Sequence, residues 1–72
     1  MEYSDHATKR MKQRQITPAE VEEALRDMDA TSRGDRSTRI IRWGTTGSGS
    51  RLRVVQYAGR NDFVITAARV GE

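Results

Sequence analysis

Four consecutive residues, Thr17-Pro18-Ala19-Glu20, constrain this chain more than any others. The Thr17 hydroxyl can accept from the backbone N–H of Glu20, and the Glu20 carboxylate can reach back to the N–H of Thr17. Pro18 falls at the first helical position, where its missing donor costs nothing. A helix therefore starts here, and any preceding helix must end before it. Val21, Ala24, Leu25 and Met28 follow at i, i+3, i+4 and i+7, which predicts one apolar stripe and a helix running to about Asp29. Its other face carries Glu20, Glu22, Glu23 and Asp27, and the acids near its start complement the helix dipole.

Upstream, Asp5 to Gln15 reads as a first helix, capped by Ser4 or Asp5. Ala7 and Met11 lie on a narrow apolar stripe, with Ile16 just beyond. Downstream the helical period disappears. Ala30 to Ser37 has no period, and Gly34-Asp35 marks a loop. Arg39 to Trp43 is a short strand, Gly44 to Ser50 a flexible hairpin loop, Arg51 to Tyr57 a second strand and Phe63 to Val70 a third. On the second strand Leu52 and Val54 point one way, while Arg51, Arg53, Val55 and Tyr57 point the other. On the third, Phe63, Ile65 and Ala67 share one face, with Val64, Thr66, Ala68 and Val70 opposite. The expected fold is α+β: two N-terminal helices across one face of a three- or four-stranded antiparallel sheet, as one domain over residues 1–72. The other sheet face would be partly open and would present arginines beside Trp43, Tyr57 or Thr66.

At 72 residues the core is thin, because a chain this short buries only roughly 60% of its unfolded surface. There is no cysteine and a single histidine, which excludes disulfides, thiolate zinc sites and multi-histidine clusters; no metal or cofactor is expected. Stability must come from helix-on-sheet packing or from a partner subunit, and the Trp43 strand leaves a homodimer open. No apolar run approaches the ~20 residues of a membrane span, and Met1 to Arg14 lacks the apolar stretch of a signal peptide. The expectation is a soluble, cytoplasmic protein with no membrane partner.

Charge is unevenly distributed. Residues 1–34 hold six Lys/Arg and seven Asp/Glu, a balance of −1; residues 35–72 hold seven Arg and three acids, a balance of +4. Every basic residue after Lys12 is arginine, whose planar fork suits phosphate and stacks on bases. An arginine-rich sheet suggests RNA or another polyanion as partner, with an acidic protein second; a solvated surface that keeps a small protein in solution accounts for the same charges.

His6, Arg10 and Arg14 sit at i, i+4 and i+8 and so share one face of the first helix, with Lys9 at its flank. A histidine among cations is pushed toward its neutral form and a bound phosphate would pull it back, a setting that suits a general acid or base on a phosphodiester. The same spacing also fits a solvated helix face with Arg10 or Arg14 bonded to second-helix acids or loop carbonyls. Tyr57 is a phenolic acid/base, a stacking surface or partly buried core. Thr66 fits a mid-strand packing position, and Trp43 reads as core or interface. Gly44 to Ser50 lacks the order of a phosphate-binding loop and precedes a strand rather than a helix.

The stretch His6-Ala7, Arg10-Met11, Arg14-Gln15-Ile16-Thr17 and Glu20-Val21 resembles the opening motif of a small bacterial domain family of unknown function. That family is similar in outline to the RelE/ParE and BrnT toxins, within a wider group of metal-independent ribonuclease folds. The resemblance is close over the N-terminal third; beyond it the likeness lies in a loop followed by arginine-rich strands, with Val64-Ile65-Thr66 on the last. It implies a RelE-like helix pair on an antiparallel sheet, with a site where the first helix meets the open sheet. In the ribonucleases, the 2′-hydroxyl attacks the adjacent phosphate and leaves a cyclic phosphate. Carried over, the resemblance makes His6 the acid/base, Arg10 and Arg14 the holders of the scissile phosphate, and Thr66 a supporting contact. Lys9, Arg53 and Tyr57 would add phosphate contacts. The implied function is a toxin or toxin-derived ribonuclease, paired with an antitoxin-like protein. A non-catalytic binding module for nucleic acid or such a partner stands beside it, as does a purely structural interaction domain. The terminal Lys/Arg/Tyr cluster of several RelE-type nucleases is missing here.

Overall fold

The capping box forms as the sequence dictates. In the computed structural model, which describes residues 1–33 and 38–70, the Thr17 hydroxyl accepts from the Glu20 N–H at 3.2 Å and Glu20 Oε1 accepts from the Thr17 N–H at 3.0 Å. In chain order the elements are β1 (Glu2–Tyr3), α1 (Asp5–Arg14), α2 (Pro18–Arg26), β2 (Met28–Arg33), β3 (Arg39–Thr45), β4 (Arg51–Tyr57) and β5 (Arg60–Arg69). Ser4 is the N-cap of α1: its hydroxyl accepts from the Ala7 N–H at 2.9 Å and donates to the Ile65 carbonyl at 2.8 Å. Gln15 ends α1 in the left-handed region at φ 56°, unusual for a residue other than glycine.

The sheet has five strands in the order β1-β5-β4-β3-β2. It is mixed, because β1 runs parallel to β5 while the other pairs are antiparallel. This corrects the three- or four-stranded antiparallel expectation. β1 is only two residues long and is held by a strand at the far end of the chain, so no local pattern marks it. β2 is an edge strand with exposed side chains on both faces, so its residues show no alternation of apolar and polar. α2 ends at Arg26 with Asp27 as its C-cap, short of Asp29, and Met28 opens β2 instead. The expected Gly34-Asp35 turn lies outside the described residues.

Both helices cover one sheet face. Ala7 and Met11 of α1, Ile16, and Val21 and Ala24 of α2 pack against Leu52 and Val54 of β4 and Val64 and Ala67 of β5. Full burial contributes about 1.5–3 kcal/mol for each of the larger aliphatic side chains. Gly44 is not part of the loop but lies inside β3, opposite Leu52. A Cβ there would overlap the Ala24 main-chain carbonyl, so glycine is what lets α2 sit on the sheet. The remaining loop closes on itself rather than hanging free: Thr46 is buried, its N–H donates to the Ser50 carbonyl at 2.8 Å, and its hydroxyl accepts from the Ser50 N–H at 3.1 Å.

On β5 the strict alternation fails. Val55 pairs with Thr66 but Gln56 pairs with Val64, leaving Ile65 as an extra residue. This bulge turns both Val64 and Ala67 toward the helices, where each is fully buried, and so breaks the expected grouping of Ala67 with Ile65.

Candidate nucleic-acid interface

Cross-strand register sets which side chains share a face, because directly paired residues point the same way. On the face away from the helices the rows are Arg39–Tyr57–Arg60, Ile41–Val55–Thr66 and Trp43–Arg53–Ala68, with Thr45–Arg51 at the end. The arginines expected on the open face beside Tyr57, Thr66 and Trp43 are therefore there. Four differ in what holds them. Arg51 donates to Asp29 at 2.7 Å, and that hydrogen bond holds the Asp29 carboxyl below the usual carboxylate range. Arg60 pairs with Glu2 at 3.0 Å and lies over the Phe63 ring, 5.1 Å from its centre. Arg39 and Arg53 are exposed, and neither has a hydrogen bond or ion pair among the described residues. Tyr57 is 42% exposed, with its ring centre 5.5 Å from that of Phe63.

An open cleft of about 320 Å³ lies on this face, lined by Trp43, Arg53, Ala68, Arg69 and Val70. Arg69 is turned away from it toward α1 and α2: it donates to the Gln15 carbonyl at 2.9 Å and meets Glu20 at 3.4 Å. The Glu20 carboxyl is held low chiefly by the hydrogen bond from the Thr17 N–H; burial opposes this, and Arg69 adds to it. Glu20 and Arg69 thus tie the start of α2 to the end of β5.

The α1 stripe lies elsewhere. His6, Lys9 and Arg10 are exposed, and His6 has no hydrogen bond or ion pair among the described residues. Arg10 makes one weak contact, to Gln13 at 3.4 Å on its own helix. Arg14 donates to the Ala67 carbonyl at 3.0 Å. Val70 donates its N–H to Arg51 of β4, so two-residue alternation directs the backbone carbonyl of Ala67 to the edge of β5 that the short β1 does not reach. Arg14 therefore satisfies a carbonyl on a strand edge that β1 leaves unpaired. The structure puts Arg53 and Tyr57 on the same open face of β4, two rows apart with the Val55–Thr66 row between them. It places His6, Lys9, Arg10 and Arg14 on α1, which packs on the other face.

A family model described as a domain of unknown function, DUF4258, matches residues 3–69. The chain belongs to this family. The match takes in both helices and the open-face rows from Arg39 to Ala68. Neither the curated proteins nor the solved structures hold a match to the chain. Among the described residues no cluster of three His, Cys, Asp or Glu is placed to hold a metal ion, and no helix is long and apolar enough to cross a membrane. Of the residues on this face of the DUF4258 chain, the sequence reading does not single out Arg39, and it takes Trp43 as core or interface and as a neighbour of the open-face arginines. Arg39 could have been found by carrying the alternation of the second strand across to its neighbour, since it pairs directly with Tyr57. Trp43 falls in the same row as Arg53, but the row is set by register, which sequence alone does not fix.

Proposed function

We propose that this domain binds RNA through the open face of its sheet. The observation that carries the reading is a pair of arginines without partners among the described residues, on the face that the helices leave open. Arg39 and Arg53 stand exposed and without acidic partners on a face that also holds Trp43 and Tyr57. Glu20, Glu22 and Glu23 belong to α2, on the other side. A polyanion approaching the open face meets guanidinium groups that need not break an ion pair first. Fluorescence anisotropy with a labelled oligoribonucleotide tests this. Affinity should fall steeply with salt, and Arg39→Ala and Arg53→Ala should each lower the log–log salt slope by about 1. Arg26→Ala, on α2, should leave it unchanged. Binding insensitive to salt, or to both open-face substitutions, refutes the reading. An acidic, antitoxin-like protein segment docking on the same face would compete with the RNA.

Cleavage is the second reading, and one placement favours it. Tyr57 stands directly opposite Arg39, with Arg53 on the same face of β4, so a phenol and two guanidinium groups share one surface. Such a set can stabilise the charge of a phosphodiester attacked by its own 2′-hydroxyl without a metal. Two helices on one face of a sheet whose first strand lies parallel to its last support the resemblance to RelE/ParE and BrnT toxins. On this reading Arg39, Arg53 and Tyr57 form the centre, with Thr66 beside it, while His6 and Arg10 stand on α1 behind the sheet. RNA incubated with the protein in EDTA should be cut, and Tyr57→Phe should slow cutting more than His6→Ala. RNA left intact at high protein concentration removes this reading and leaves the binding one standing.

A further inference from the structure

Within the open face, one row differs from its neighbours. Trp43, Arg53 and Ala68 follow one another across β3, β4 and β5. The middle row, Ile41–Val55–Thr66, carries no charge, and in the Arg39–Tyr57–Arg60 row Arg60 is tied to Glu2 and Asp62. Only the Trp43 row opens into the cleft, because the small Ala68 side chain leaves space beside the long Arg53 and the flat indole. The lining contains two arginines and no acid. Arg69 is engaged with Gln15 and Glu20, so Arg53 is the cation left to a ligand. The Trp43 indole N–H has no acceptor among the described residues, and the side chain is only half-buried. A flat apolar ring, a donor without a partner and an unpaired guanidinium in one slot fit a ligand that is flat, rich in acceptors and anionic.

We infer, resting on the RNA-binding reading above, that this cleft takes one unpaired nucleotide of single-stranded RNA. The base lies against the Trp43 indole and the adjoining phosphate meets Arg53. A base inside a duplex has both faces covered by its neighbours and cannot offer one to the indole; an unstacked base in a single strand can. The row therefore makes the domain select single strands over duplexes, beyond the general attraction of its charge for any polyanion.

Trp43 is the chain's single tryptophan, so its emission reports on this cleft alone. The experiment titrates the intact protein with a single-stranded oligoribonucleotide and with a blunt RNA duplex of the same sequence. Trp43 emission and anisotropy of the labelled RNA are read together. The single strand should quench Trp43 along the binding curve and bind about tenfold tighter than the duplex. Trp43→Ala should weaken single-strand binding about tenfold or more, with most of the affinity kept by Trp43→Phe and duplex binding nearly unchanged. The native emission needs no variant to fold, and circular dichroism checks both variants. Equal affinity for duplex and single strand, or saturation by RNA with Trp43 emission unchanged, overturns the cleft assignment while leaving electrostatic binding intact. Failure of both RNAs to bind overturns both.

Discussion

Gly44→Ala adds one methyl group and should destabilise the domain severely. Two effects oppose each other. Alanine suits a strand better than glycine and has fewer unfolded conformations to lose, which on open ground would stabilise by about 0.4–1 kcal/mol. Here the new Cβ would overlap the Ala24 carbonyl oxygen and lie 2.6 Å from the carbonyl carbon, where carbon atoms prefer ~3.5–4 Å. The obstacle is main chain, so no rotamer change relieves it. Helix α2 must lift by on the order of 1 Å, loosening Val21 and Ala24 from the core. Overpacking of this kind costs typically ~1–3 kcal/mol and more when the backbone must move. Set against the smaller gain, a net loss of about 2 kcal/mol or more remains. For a domain of this size that lowers Tm by roughly 8–16 °C. Thermal melts followed by circular dichroism measure it. Gly47→Ala is the control, because its Cβ would meet only the movable carboxylate of Glu23 at 3.0 Å and should cost little. Ala24→Gly in the Gly44→Ala background should not rescue, since it leaves the carbonyl in place. A Tm within about 2 °C of the native value, or rescue by Ala24→Gly, would refute the reasoning.

Thr17→Ala removes one half of the capping box and should cost about 1 kcal/mol in urea unfolding. Glu20 has its carboxyl held below the ordinary range when folded, so its contribution is complete at neutral pH and fades as pH falls from the ordinary carboxylate range through the folded value. Stability measured from pH 7 downward should therefore fall less steeply in Glu20→Gln than in the native chain. Arg14→Ala uncovers the Ala67 carbonyl at the β5 edge; a loss of about 0.5–1.5 kcal/mol is expected, with more concentration-dependent aggregation by light scattering. Gln15→Gly replaces a left-handed residue with the one that favours that conformation and should raise Tm by a few degrees, despite its more flexible unfolded chain.

The parts of this fold that can be read in the sequence are those whose causes are local. Thr17, Pro18 and Glu20 specify the start of α2 within four residues, and Leu52 and Val54 against Arg51, Arg53 and Tyr57 specify the two faces of β4. What depends on distant partners is not legible. β1 is a strand only because β5 lies beside it, and β2 carries no buried stripe because it is an edge. Gly44 looks like loop material until α2 is laid across it. For the candidate site, parity along β4 puts Arg53 and Tyr57 together, but whether the His6, Arg10 and Arg14 stripe faces them depends on which side the helices cover. The Ile65 bulge, invisible in composition, reverses half of β5.

The pairing of β1 with β5 also has a meaning in time. Ser4, the cap of α1, hydrogen-bonds to Ile65, 61 residues further along the chain. A ribosome makes α1 first and the strand that covers its Ala7 and Met11 last. Until β5 emerges, the helix lacks its main packing partner and the sheet lacks its link to β1. The domain must close this 61-residue separation before its helices are covered, which favours a slow, all-or-none transition over stepwise assembly.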